Sequence, residues 1–217
     1  TAGEIRVKGQ PVDLRSPRDG LRHGIAMVHQ ELMLVPAFTI AQNVMIGLQT
    51  SSFSFPLRKV EKRIGELAAR YQLKVDPRAR VEDLSAGEQQ RAEILKVLFH
   101  EPEVLLLDEP TSLLTPHEAD HLFVVLRAMA QEGKGIVFIT HKMKEVFAVS
   151  DRVTVLKLGK TQGTQPIANT NERELTRKTF GETVPEYMER PPVRTEDKAI
   201  DVKNLVPQSM ENKGSAL

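Results

Sequence analysis

The stretch from Val104 to Pro110 reads VLLLDEP, four apolar residues in a row closed by two carboxylic acids and a proline. The run is far too short to span a bilayer, and its lack of polar alternation suits a strand buried on both faces, as parallel strands between helices are. GIVFITH, from Gly135 to His141, is a second run of the same kind. Between the two, Thr115-Pro116-His117-Glu118 supplies a threonine cap, a proline in the first turn and a glutamate three residues after the cap, which predicts a helix start. Upstream, GIAMVHQ is a shorter apolar run that ends in polar residues. Val60, Ile64, Leu67, Ala68 and Tyr71 recur at helical spacing, and AEILKVLFHE continues a helix opened at Ser85. GEIRVKGQPV and DRVTVLKLGKT each read as a strand and turn, and a helix is expected after His141 through Val149. Strands alternating with helices predict an α/β fold with a parallel sheet.

Composition narrows the function classes. The 217 residues carry 30 Lys+Arg against 29 Asp+Glu, a formal charge of +1, so there is no basic field to argue for nucleic acid. With no cysteine, disulfides and thiolate metal sites are excluded. No apolar run approaches the length of a membrane span, so a membrane role is expected to be peripheral. A chain beginning on Thr1 is expected to be a processed or incomplete product.

Four sets of polar groups are expected at the carboxyl ends of strands or at a helix start, where open α/β sheets hold ligands. They are Gln30 after IAMVH, Asp108 and Glu109 after VLLL, His141 after IVFIT, and Ser85 with Gly87 in DLSAGEQQR. If Asp108 and Glu109 lie on a strand they point to opposite sides, so one can hold a hydrated magnesium ion while the other polarises a water. The serine and glycine allow two readings. Ser85 and Glu88 satisfy the S-x-x-E capping box, in which each closes the other's orphan amide. Alternatively, a helix N-terminus bearing the small Gly87 leaves N–H groups and the positive dipole end open to an anion.

DLSAGEQQR, then VLLLDEPTSLLTP, then FITHK, in that order and with Gln30 upstream, resemble the nucleotide-binding domain of an ATP-binding cassette (ABC) transporter from about Gly3 to Gly181. The resemblance implies a P-loop NTPase cassette of the ABC type, a mixed or parallel sheet core with a helical subdomain over about 38–100, and ATP with Mg2+ as cofactors. It implies that Gln30 senses the metal and the attacking water, that Asp108 serves magnesium, that Glu109 is the catalytic carboxylate and that His141 contacts the γ-phosphate. Ser85, Ala86, Gly87 and Glu88 match the signature motif, which grips ATP bound to an opposite cassette. SLLTPHEADHLF and LSAGEQQRAEILKVLF are further similar to the tandem-cassette ATPases of bacterial importers for simple sugars, especially those paired with nucleoside-binding lipoproteins. The partners so implied are membrane permease subunits, a second cassette and, indirectly, an extracytoplasmic solute-binding protein, with no nucleic acid. The implied location is the cytoplasmic face of the membrane. The apolar segment Glu31–Gly47 would pack within the helical subdomain and face the membrane subunit.

The chain departs from the family pattern at two places. The phosphate loop G-x-x-x-x-G-K-[ST] is absent, and its only decoy, Gly159-Lys160-Thr161, has Thr154 where the first glycine belongs. A cassette truncated at its N-terminus is therefore expected over residues 1–182. ETVPEYMERPPVRTEDK suggests a linker, placed at 183–197, and AIDVKNL suggests the start of a second cassette over 198–217. Glu88 stands where many signatures have glutamine, and a negative charge beside a phosphate is unhelpful unless it turns back to cap the helix. Two other readings stay open: an inactive truncated cassette serving only as a docking fragment, and a cassette ATPase of DNA repair or chromosome structure.

Overall fold

The computed structural model describes residues 3–48 and 56–181. The expected linker at 183–197 and second-cassette start at 198–217 lie outside the described residues. Among the described residues, no helix is long and apolar enough to cross a membrane.

The chain opens with a hairpin of β1 (Ile5–Val7) and β2 (Gln10–Val12). Its turn is Lys8-Gly9, both at positive φ, +52° and +77°, the mirror-image turn that matches strand twist. A short helix, α1 (Pro17–Arg22), leads into the central sheet, whose strands are β3 (Ile25–Val28), β4 (Val104–Asp108) and β5 (Gly135–Ile139). They are parallel in the order β3-β4-β5. The long excursion from β3 to β4 holds α2 (Ile40–Gly47), α3 (Leu57–Arg70) and α4 (Ala86–Leu98), which pack on one another. The five apolar residues read at helical spacing, Val60, Ile64, Leu67, Ala68 and Tyr71, are all buried. α5 (Pro116–Gln131) joins β4 to β5, and α6 (Met143–Val149) follows β5. A second hairpin, β6 (Arg152–Lys157) and β7 (Lys160–Pro166), precedes α7 (Glu172–Phe180). Leu158 and Gly159, at φ +51° and +73°, form its corner and Lys160-Thr161 begin β7, so Gly159-Lys160-Thr161 is not a phosphate cradle.

Register divides the central sheet into two unlike faces. Ala26, Val28, Leu105 and Leu107 share one face and are at most 5% exposed, packed in one core with Ile94, Leu95, Leu126 and Met129. Phe138 joins that face and meets Phe123 of α5 edge to face, with centroids 5.9 Å apart. The other face carries Ile25, Met27, Val104, Leu106, Val137 and Ile139. There the first four are half-buried, and Val137 and Ile139 remain 47% and 48% exposed. The expectation that VLLL and GIVFITH are buried on both faces is corrected. Neither run is covered equally on its two sides, because the helical layer and its core lie against only one face and the described residues leave the other partly bare.

Candidate functional site

The carboxyl edge of the central sheet gathers most of the predicted groups. Asp108 is the last residue of β4 and is half-buried, Gln30 lies exposed just past β3, and His141 lies just past β5. Glu109 is not on the strand. It takes φ +46°, a left-handed conformation that costs a non-glycine residue on the order of 1 kcal/mol. Its amide nonetheless donates to the carbonyl of Ile139 at 2.9 Å, which anchors the turn to β5. The pleat therefore does not set Asp108 and Glu109 apart, as the sequence suggested. The strand ends between them, and a twist of the backbone separates the two carboxylates.

That twist carries the Glu109 side chain to the neighbouring loop. His141 Nδ1 donates to Glu109 Oε1 at 2.7 Å, which fixes the proton on Nδ1 because a carboxylate can only accept. The imidazole is 73% exposed, whereas the Glu109 side chain is only 16% exposed. Its other oxygen, Oε2, is buried and has no hydrogen-bond partner among the described residues. A buried acceptor without a donor is rare in native proteins, and at a carboxylate it is a seat for a water or a substrate hydroxyl.

The signature segment forms a second centre. Ser85 caps α4, and the capping box is closed in both directions: Ser85 N–H and Ser85 Oγ–H donate to Glu88 Oε2 at 2.9 and 2.7 Å, while Glu88 N–H donates to Ser85 Oγ at 3.4 Å. Glu88 thus turns back on its own helix. Ser85 and Ala86 are exposed and Gly87 is buried. A Cβ at Gly87 would collide with the Glu118 carboxylate, which the capping box of Thr115 and the Arg91 guanidinium hold in place. The choice of glycine is thus explained inside this chain, a role for Glu118 that sequence reading missed. Its signal was the second capping box, T-P-H-E, read only as a helix start. Among the described residues, no hydrogen bond or ion pair joins Ser85, Ala86, Gly87 or Glu88 to Gln30, Asp108, Glu109 or His141.

The two capping carboxylates make a pH prediction. The Ser85 hydroxyl, with the Ser85 amide behind it, holds Glu88 below its ordinary value of 4.5. The Thr115 amide and hydroxyl do the same for Glu118. A carboxylate depressed by folding contributes stability that is present above its unfolded value and lost as pH falls through the folded one. The urea midpoint should therefore fall as the pH drops below about 4.5. Ser85→Ala should cost about 1 kcal/mol at neutral pH and flatten part of that slope. A Ser85→Ala protein with the parent's urea midpoint at both pH values would show that the cap contributes nothing.

A family model described as ABC transporter matches residues 1–112, more than half of the chain. The chain belongs to the ABC transporter family. Among its relatives, the Nucleoside import ATP-binding protein NupA of Lactococcus lactis subsp. cremoris is 39% identical over 214 residues, 98% of this chain and 42% of the relative. The Glucose import ATP-binding protein of Haloferax volcanii is 38% identical, over 94% of this chain and 42% of its own length. The ABC cassette chain thus spans about two fifths of these relatives. Of solved structures, cbiO1 from Clostridium perfringens, part of the ABC transporter complex cbiONQ, aligns with a TM-score of 0.64 at 27% identity, covering 82% of this chain and 72% of that one. A dimeric ATP-binding cassette bound to ADP and Pi aligns with a TM-score of 0.63 at 23% identity over 77% of this chain and 74% of that one, which shows the shared fold.

Proposed function

We propose that this ABC cassette chain is the catalytic part of an ATPase that drives import of a small polar solute, a sugar or a nucleoside, through membrane permease subunits. The observation that carries the chemistry is Glu109, with one carboxylate oxygen held by His141 and the other buried and without a donor. The printed names of the relatives, nucleoside import and glucose import, support the solute class.

In this reading Glu109 Oε2 takes a proton from the attacking water, and His141 holds the carboxylate through Nδ1–H while its exposed ring faces the γ-phosphate. Asp108 and Gln30 would hold Mg2+. Both offer oxygen donors, the class a hard cation takes. That fits Mg2+, which keeps several waters and is bound by one or two protein groups and substrate phosphates. When bound, the ion supplies positive charge against the charge developing on the phosphoryl oxygens. Ser85, Ala86, Gly87 and Glu88 present the α4 N-terminus to ATP held by a second cassette. That assignment asks Glu88 to keep its inward turn, so that its charge stays on Ser85 and away from the phosphate.

The proposed ABC importer subunit lies peripherally on the cytoplasmic face of the membrane. Met33, Val35, Phe38 and Ile46, each 40% exposed or more, offer an apolar surface to the permease, and an extracytoplasmic solute-binding protein acts through that permease. The proposed division of the chain is the cassette over 1–182, its helical subdomain over about 38–100, a linker over 183–197 and a second cassette from 198.

The test compares this polypeptide with one extended by a segment carrying G-x-x-x-x-G-K-[ST]. Alone, the 217 residues should bind ATP weakly and hydrolyse it negligibly, because they contain no loop of amides and lysine for the β- and γ-phosphates. Micromolar ATP affinity by calorimetry, with turnover, would overturn the assignment of phosphate binding to that loop. No hydrolysis once the loop and permease are supplied would overturn the ATPase itself.

A further inference from the structure

Glu145 is a buried carboxylate that the hydrolytic chemistry leaves unused. It sits in the first turn of α6, 9% exposed, and three side chains converge on it. Thr111 Oγ–H donates to its two oxygens, at 2.7 and 2.9 Å, and Thr140 Oγ–H donates to Oε2 at 3.1 Å. The Lys142 ammonium pairs with Oε1 at 3.1 Å. Lys142 also donates to Thr111 Oγ1 at 3.1 Å and to the Thr111 carbonyl at 3.2 Å, and its amide donates to Thr140 Oγ1 at 3.1 Å. Thr111 is 1% exposed.

The placement of these residues matters more than their number. β4 and β5 pair from Val104 to Asp108, and the last bond across them is Glu109 N–H to Ile139. Beyond that point the backbone ladder stops, just where the two reacting loops begin. Thr111 stands two residues after Glu109, and Thr140 and Lys142 flank His141 on both sides. The backbone bond to Ile139 holds the turn, but the direction of the Glu109 side chain is set by one 2.7 Å bond to a 73% exposed imidazole, a weak restraint taken alone. The fully satisfied network around Glu145 continues the register that the sheet no longer supplies.

We infer that Thr111, Lys142 and Glu145 are positioning residues, a buried clamp between the loop after β4 and the loop after β5 that sets the Glu109–His141 pair before nucleotide arrives. The inference rests on the reading of Glu109 as the base, and acts through Glu109 and His141 without touching substrate.

The decisive readout is the His141 ring in the 217-residue chain, followed through the 15N shifts of its two ring nitrogens, which report whether the proton sits on Nδ1 or on Nε2. Thr111→Val should shift the ring toward the Nε2–H form, and Thr111→Ser, which keeps the hydroxyl, should retain the Nδ1–H form. If Thr111→Val does not fold, Lys142→Met, at a partly exposed position, is read in its place with the same expectation. In the complete importer, Thr111→Val should lower kcat by roughly 10- to 100-fold with KM for ATP unchanged, and Thr111→Ser should restore it. A folded Thr111→Val or Lys142→Met chain whose ring stays in the Nδ1–H form, whatever its melting temperature, overturns the clamp. Full hydrolysis by Glu109→Gln would overturn the base assignment instead, and the ring signal would still decide the clamp.

Discussion

Replacing Glu109 by glutamine in the complete protein, read as the proposed transport ATPase, is expected to lower ATP hydrolysis by about 10²–10⁴-fold, with ATP binding and pairing of the cassettes retained. Glutamine has nearly the shape of glutamate, and its carbonyl oxygen can still accept from His141 Nδ1. It offers no basic oxygen at the buried position where Glu109 Oε2 has no partner. The left-handed turn at Glu109 is fixed by the backbone and by the bond from its amide to Ile139, so the exchange leaves the local frame in place. Turnover within a few-fold of the parent, measured as phosphate release at saturating ATP, would remove Glu109 from the chemistry.

Gly87→Asp is expected to abolish ATP-dependent pairing and hydrolysis, but for two reasons that need separating. Any Cβ at Gly87 displaces the Glu118 carboxylate, and an aspartate adds charge beside Glu118 and Glu88. The end of Glu118 can swing away, so the local cost is the loss of its bonds to Thr115 and Arg91, and not a backbone collision. A thermodynamic cycle with Glu118→Ala isolates this part: Gly87→Ala should cost almost nothing once Glu118 is shortened. Gly87→Asp combined with Glu118→Ala should then fold and bind ATP, and still neither pair nor hydrolyse, if α4 faces a phosphate on another cassette. Recovery of hydrolysis in that double variant would confine Gly87 to making room for Glu118.

Much of this was legible in the chain because it is local. The boxes at Ser85–Glu88 and Thr115–Glu118 close over three residues, and both formed as their spacing predicts. The apolar stripe from Val60 to Tyr71 is likewise set within one helix, and all of it is buried. The Asp108-Glu109 pair and His141 were found from their position after apolar runs, since a parallel sheet puts all strand ends on one edge. What the sequence withheld depends on contacts between distant residues. Thr111 meets Glu145 across 34 positions and Glu109 meets His141 across 32. No periodicity reports such pairs, nor the approach of Glu118 to Gly87. Backbone handedness at Glu109 is equally silent, because glutamate has no preference that announces positive φ. The uneven burial of GIVFITH escaped for a related reason: an apolar run shows that a strand can be covered on two sides, but not whether two layers are present.

That uneven sheet bears on the order in which such a protein is assembled. The half-bare face draws Ile25 and Met27 from β3, Val104 and Leu106 from β4, and Val137 and Ile139 from β5, residues scattered along most of the described chain. No one strand presents enough of it to be recognised, so the surface exists only after all three have found their register. A layer that covered this face would bind only molecules in which all three strands are in register, and by mass action it would favour those over unregistered ones.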